Sequence, residues 1–259
     1  MDAMRFTTMD PLAEKYYNMS PYAYCHNNPF NIIDPDGCGD YYLITGEWVG
    51  IDSDKDDKAY IVKSVQFNNS GFVDKAENKQ ELDFSNSELV KLAAVSFAES
   101  DPRTNTKEEL FGIASASVNN YNIRTGKGKK SLSKVLTEIS YVTKDGNTNY
   151  KKFYETSPKD RNGNRKMRTS FAAAINALVG GTDFSNGATG WDGRDLKINS
   201  HRFGLNIADP KHDIFGVGDR PNKPTPQKAQ YYRQTTAAYG QTVFMRIHPE
   251  HIRKGGRRW

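Results

Sequence analysis

The chain has 259 residues, of which 36% are apolar and 12% aromatic, with a formal net charge of +5. That length fits one large domain, or a modest one with an appendage; the low apolar share implies long polar loops, and the aromatic content argues against general disorder. No stretch approaches the roughly 18 consecutive apolar residues of a membrane span, the first residues lack a signal-peptide pattern, and the mild positive charge suits an anionic polymer or ordinary solubility.

Residues 1 to 37 are rich in Tyr, Asn, Pro and Met and lack helical periodicity. Asn27-Asn28-Pro29 and Asp34-Pro35-Asp36-Gly37 are turn signals, so short strands and turns are expected. Cys25 and Cys38 make no disulfide framework, and no set of Cys and His has zinc spacing. From Gly39 to about Phe72 come three strand-like runs: Tyr41-Tyr42-Leu43-Ile44, Glu47-Trp48-Val49-Gly50-Ile51 and Ala59-Tyr60-Ile61-Val62. Thr45-Gly46 and the acidic stretch from Asp52 to Asp57 separate them, and a small meander is expected. The acidic stretch lacks the spacing and closing Glu of an EF-hand, so it reads as a solvated turn.

From Asp83 onward the pattern is helical. Ser85 and Glu88 form a capping box, with Phe84 and Leu89 spaced as a hydrophobic staple. Leu89, Leu92, Ala93 and Ser96 or Phe97 recur at helical spacing, and Pro102 disfavours helix at Asp101, so the helix should stop near Ser100. Thr106 and Glu109 form a second box; the helix it opens should bury Leu110, Ile113, Ala114 and Ser117 and end near Asn120. A Gly/Lys loop spans 122 to 130 and a short helix about 131 to 141. Residues 143 to 168 read as a long polar loop, which is usually functional or mobile. A compact Ala-rich helix, Ser170 to Val179, closes at Gly180-Gly181. An irregular stretch runs from Asp183 to Pro224. Pro226 to Tyr239 reads as a last helix, with Gly240 after its end, and residues 242 to 247 as a closing strand. The basic run Arg253-Lys254-Gly255-Gly256-Arg257-Arg258 reads as a solvated end.

Two resemblances organise these elements. Arg5-Phe6, Met9-Asp10-Pro11-Leu12-Ala13-Glu14-Lys15-Tyr16-Tyr17 and the run from Ser20-Pro21-Tyr22 through Asn27-Asn28-Pro29 to Asp34-Pro35-Asp36-Gly37 resemble the end of the Rhs-repeat-associated core domain. In that family the repeats form a hollow β shell, and a variable toxin follows this signature. The resemblance therefore implies an Rhs/YD-repeat polymorphic toxin. It divides the chain into residues 1–37, the core tail; 38–82, a β-meander linker; and 83–259, the toxin domain.

Ala98-Glu99-Ser100 at the end of an apolar helix carries the second resemblance. Val118-Asn119-Asn120 closes a small-residue helix after it. Then come Ala172-Ala173-Ala174, Gly180-Gly181, Asp183, Asn186-Gly187-Ala188-Thr189, and Gly240-Gln241-Thr242-Val243-Phe244. In this order they resemble the cell wall hydrolase family typified by spore cortex-lytic enzymes. Gln241-Thr242 stand where that family has Asn-His, and Gly190 precedes Trp191 where it has an aromatic directly.

The resemblance implies an α+β chain, with a mostly helical lysozyme-like effector domain after a small β-rich segment. It implies a peptidoglycan glycosidase working as a lytic transglycosylase, with Glu99 as catalytic acid. Asn119, Tyr121, Gly187, Ala188, Thr189 and Trp191 are the expected substrate-binding residues; no cofactor or metal is expected. A carboxyl among apolar residues suits a general acid. A retaining or inverting glycosidase normally needs two carboxyls. A transglycosylase needs one, because the muramic acid C6 hydroxyl is the internal nucleophile. The expected partners are peptidoglycan, a cognate immunity protein and export machinery such as a type VI secretion system, without nucleic acid; the expected place of action is the periplasm of a target bacterium. The rival is a nuclease toxin in which His201, His212 and Asp213 activate water or hold a metal.

Overall fold

The structure, a computed structural model, describes residues 38–103, 106–125, 130–144, 146–193, 206–207, 232–247 and 253. The architecture is α+β, with strands preceding a helical region. Six strands come first: β1 (Cys38–Leu43), β2 (Trp48–Lys55), β3 (Lys58–Val62), β4 (Ser64–Phe67), β5 (Val73–Glu77) and β6 (Gln80–Ser85). Helices α1 (Asn86–Glu99), α2 (Lys107–Thr125), α3 (Leu132–Ile139), α4 (Thr148–Glu155), α5 (Pro158–Gly163) and α6 (Arg165–Leu178) follow, with a 3-10 turn at Tyr141–Thr143. The chain continues through β7 (Gly190–Gly193), β8 (Asn206–Ile207), β9 (Tyr232–Tyr239) and β10 (Thr242–Ile247).

Where a simple meander was expected, the first sheet has the order β2-β1-β3-β6, and β1 and β3 run parallel. The chain crosses the end of β1 between β2 and β3, so β1 becomes an inner strand. Within the acidic stretch Asp54 is exposed, as a solvated turn requires, but Asp52 is not. Asp52 is buried in β2, where its carboxylate accepts from Gly39 N at 3.0 Å and from the Tyr41 hydroxyl at 2.9 Å. A separate hairpin, β4-β5, packs beside this sheet. The turn after β1 lies so close to α6 that a Cβ on Gly46 would stand 2.1 Å from the Arg168 carbonyl oxygen.

Helix α1 is the hub. Leu89, Leu92, Ala93, Val95 and Ser96 are fully buried, and the helix packs on α2, α3, α4 and α6. Its capping box forms as the sequence indicates: Ser85 Oγ accepts from Glu88 N, and Ser85 N donates to the Glu88 carboxylate. The same carboxylate accepts from Ser133 N at 3.3 Å, so it also anchors the start of α3. Tyr42, Ala59, Ile61 and Leu82 from the strands share one apolar core with these helices. A polar link joins sheet to hub: Trp48 Nε1 donates to Asp40 at 2.6 Å, Asn86 donates to Asp40, and Tyr42 OH donates to Asn86 Oδ1 at 2.9 Å. The expected boundary at 82/83 lies inside β6, and apolar residues on both sides of it share that core.

Three further expectations change. The stretch from 143 to 168 is not a long loop: it holds the 3-10 turn, α4, α5 and the first residues of α6. Each helix opens on a polar cap, Asn147, Ser157 or Asn164, whose side chain accepts from a first-turn N–H. α2 runs on to Thr125, beyond Asn120. The residues before Gly240 form β9, not a helix. Gly240, with φ of +59°, lies in the turn of a β9-β10 hairpin rather than closing a helix. Strand β10 also pairs with β7 and lies against α2, where a Cβ on Gly112 would meet the Phe244 ring at 2.5 Å.

Candidate functional site

Three carboxyl residues, Glu99, Asp101 and Glu109, stand along the chain where α1 ends and α2 begins. Glu99 is the last residue of α1 and is half-buried. Ser140 Oγ donates to its Oε1 at 2.6 Å, and Val142 N approaches the same oxygen at 3.5 Å. Ser140 is itself buried, as the C-cap of α3. Among the described residues no Lys, Arg or His forms an ion pair with Glu99.

The other two carboxyls are committed. Asp101 accepts from Arg103 Nε at 3.1 Å, from Arg103 Nη2 at 2.9 Å and from Arg103 N at 2.7 Å. The Arg103 side-chain bond, helped by that backbone N–H, holds the carboxyl below its usual range. Glu109 is fully buried. Its Oε1 accepts from the Thr242 hydroxyl at 2.7 Å and from Asp101 N at 3.4 Å, and its Oε2 from the Thr106 hydroxyl at 3.4 Å. Thr106 and Glu109, expected as a capping box, meet here side chain to side chain, and Glu109 serves as the joint between α2, β10 and the loop after α1. Lys166 reaches in from α6, donating to the Ser100 carbonyl at 3.2 Å, with its ammonium 5.0 Å from the centre of the Phe97 ring. Burial pushes its amine down, and the charges of Glu109 and Asp101 oppose that shift.

The expected substrate-binding residues lie elsewhere. Asn119 is ten residues further along α2 than Glu109, a rise of about 15 Å. Its Nδ2 donates to Asp183 Oδ2 at 3.0 Å, to Ser185 Oγ at 3.2 Å and to the Ala188 carbonyl at 3.0 Å. Asn120 donates to the Thr189 carbonyl. Asp183 also accepts from Ser185 N and Gly187 N, both at 2.8 Å, and from the Ser185 hydroxyl at 2.6 Å. Burial raises the Asp183 pKa, but these hydrogen bonds outweigh it and leave the carboxyl below its ordinary value. Ala188 and Thr189 are buried, with Thr189 N donating to the Met245 carbonyl at 2.9 Å; Gly187 is exposed, with φ of +77°.

Tyr121 and Trp191 are half-buried and pack against the main core. Tyr121 meets the Phe84 ring edge-on, with centroids 5.7 Å apart, and Trp191 pairs with Phe244 across β7 and β10. The structure therefore brings Asn119, Gly187, Ala188 and Thr189 together as one pinned loop, while Glu99 sits at the other corner. Sequence reasoning passed over Ser140, Lys166 and Asp101. Only the packing of α3 and α6 on α1 brings Ser140 and Lys166 to that corner. Asp101, two residues from Glu99, carried a signal in its Arg103 partner.

His201, His212 and Asp213 lie outside the described residues, as do residues 1–37. Among the described residues no group of three or more His, Cys, Asp or Glu side chains is placed to hold a metal ion, and no helix is long and apolar enough to cross a membrane. No protein-family model, no curated protein and no solved structure matches the chain.

Proposed function

We propose that this chain is an antibacterial effector that cleaves the glycan strands of peptidoglycan, as a lytic transglycosylase with Glu99 as its acid and base. One observation carries the reading. Of the three carboxyls at the α1–α2 corner, Asp101 is tied to Arg103 and Glu109 is buried under three donors, whereas Glu99 is half-buried and fixed by one short bond from Ser140. A general acid needs a held but unspent carboxyl.

Protonated Glu99 gives its proton to the glycosidic oxygen as the bond from that oxygen to C1 of muramic acid breaks. The C6 hydroxyl of the same sugar forms the new bond to C1, and the Glu99 carboxylate takes the hydroxyl proton. Acid and base are restored, and no water is consumed. The product is an anhydro-muramyl end in a lysozyme-like helical setting. Geometric proximity of the internal hydroxyl replaces a second carboxyl. The resemblance of residues 1–37 to an Rhs core tail adds the delivery context: a shell-borne toxin, a secretion system such as type VI, and an immunity protein covering Glu99.

Mass analysis of muropeptides released from purified sacculi tests the chemistry. Fragments lighter by one water than simple hydrolysis products are expected. Fragments carrying that water would make the chain a hydrolase, and no release at all would sink the reading. Expression with and without a fused export signal tests the place of action, with killing expected only when the chain reaches the periplasm. Killing from the cytoplasm, with plasmid degradation, would favour the nuclease alternative and its His201, His212 and Asp213.

A further inference from the structure

The turn that holds Glu99 also carries an unusual side chain. Ser140 and Val142 both face the Glu99 carboxylate, and Tyr141 stands between them in the chain. Its side chain turns outward: Tyr141 is 81% exposed, while Ser140 is 2% and Val142 6% exposed. Folding gains little from an aromatic ring left in water, so the core does not account for this one. Lys144 caps the same turn, its N–H donating to the Tyr141 carbonyl at 3.1 Å, and its ammonium stands 4.0 Å from the ring centre. With one face so occupied, that exposure leaves the opposite face bare.

We propose that Tyr141 is a sugar-stacking platform, which seats an N-acetylated hexosamine ring of the glycan strand beside Glu99. The inference rests on the wall-cleaving reading of Glu99. A pyranose ring presents a face of C–H groups, and an aromatic face is the flat, apolar and weakly negative partner for it. The short turn makes the placement rigid: the backbone that presents Tyr141 is the backbone that fixes the acid. A sugar lying on Tyr141 therefore has its glycosidic oxygen held near the proton donor, which is what positioning for transfer demands. Tyr121 and Trp191, spent in core packing, leave this role free.

The test uses the full chain carrying Glu99→Gln, so that nothing is cleaved, and titrates it with peptide-free glycan strands prepared from sacculi. Adding Tyr141→Ala should weaken binding about tenfold, whereas Tyr141→Phe and Tyr141→Trp should stay within about twofold of the parent. The exposure of Tyr141 predicts an unchanged circular dichroism spectrum in all three. Equal binding by the Tyr141→Ala chain overturns the platform alone. A parent that binds no glycan, and a wild type that releases no muropeptides, overturn the wall-cleaving reading and the platform with it.

Discussion

The two polar centres along α2 are built on opposite plans. At the Asn119–Asp183 loop the carboxylate and its amide partner are heavily bonded: Asp183 accepts from four donors, and Asn119 donates to three acceptors. At the α1–α2 corner one carboxyl, Glu99, keeps a short hydrogen bond from Ser140 and has no ion pair among the described residues. Polar groups saturated by one another make a rigid joint, because removing any one strands its partners. A carboxyl whose donors, Ser140 and Val142, share one oxygen keeps the lone pairs of the other for a substrate. Residue types alone do not separate the two plans; the number of partners does.

The largest expected contrast is Glu99→Gln. Loss of the titratable proton should cut muropeptide release by about 10²- to 10⁴-fold, with thermal unfolding unchanged, since an amide oxygen still accepts from Ser140. A folded Glu99→Gln chain with full activity would dissolve the contrast.

Asp183→Ala should do the reverse. It strands donors on a partly exposed loop, so stability should fall by about 1–3 kcal/mol, measured by denaturant unfolding. Turnover per folded molecule should stay close to wild type. A loss of turnover rivalling that of Glu99→Gln would move the chemistry to the loop. Asp183 is also held below its ordinary pKa, so its contribution is fully present above the unfolded carboxylate value of 3.8 and fades as pH falls through the folded value. Asp183→Asn should flatten that acid limb.

Ser140→Ala comes next. Losing the bond to Glu99 should lower kcat roughly tenfold with KM little changed, and Ser140→Thr should recover part of it. An equal rise in KM would assign Ser140 to substrate binding instead.

Lys166 gives a smaller effect of defined sign. Its amine is pushed down by burial, so the unfolded chain binds the proton more tightly. Stability should therefore rise with pH from the lowered folded pKa towards the unfolded value of 10.5. Lys166→Met should remove that rise in unfolding measured across alkaline pH. Smallest of all, Trp191→Phe should change KM less than about twofold, because a core aromatic swapped for another keeps most of its packing. A large rise in KM would return Trp191 to the binding surface.

Local chemistry was legible in the sequence and long-range pairing was not. The Ser85–Glu88 box depends on four adjacent residues, and it forms as read. The strand runs between Tyr41 and Val62 were visible, but the parallel β1-β3 pairing was hidden, because alternation says nothing about which neighbour a strand chooses. Helices α4 and α5 escaped because each buries a single residue, Phe153 or Arg161, too few to show a period. Strand β9 was misread because Gly240 ends a helix and turns a hairpin equally well. Glu99 stood out as a carboxyl closing an apolar helix, whereas Ser140, its partner, lies 41 positions away on another element.

The inner position of β1 has a mechanical consequence. Its first residue, Cys38, follows the segment that resembles the shell tail, and β1 is bonded to β2 on one side and β3 on the other. Tension applied through that segment loads two ladders in shear along their length. An outermost strand would instead peel away one bond at a time. A chain pulled at Cys38 keeps its sheet, and hence the helix ending at Glu99, until both ladders fail together.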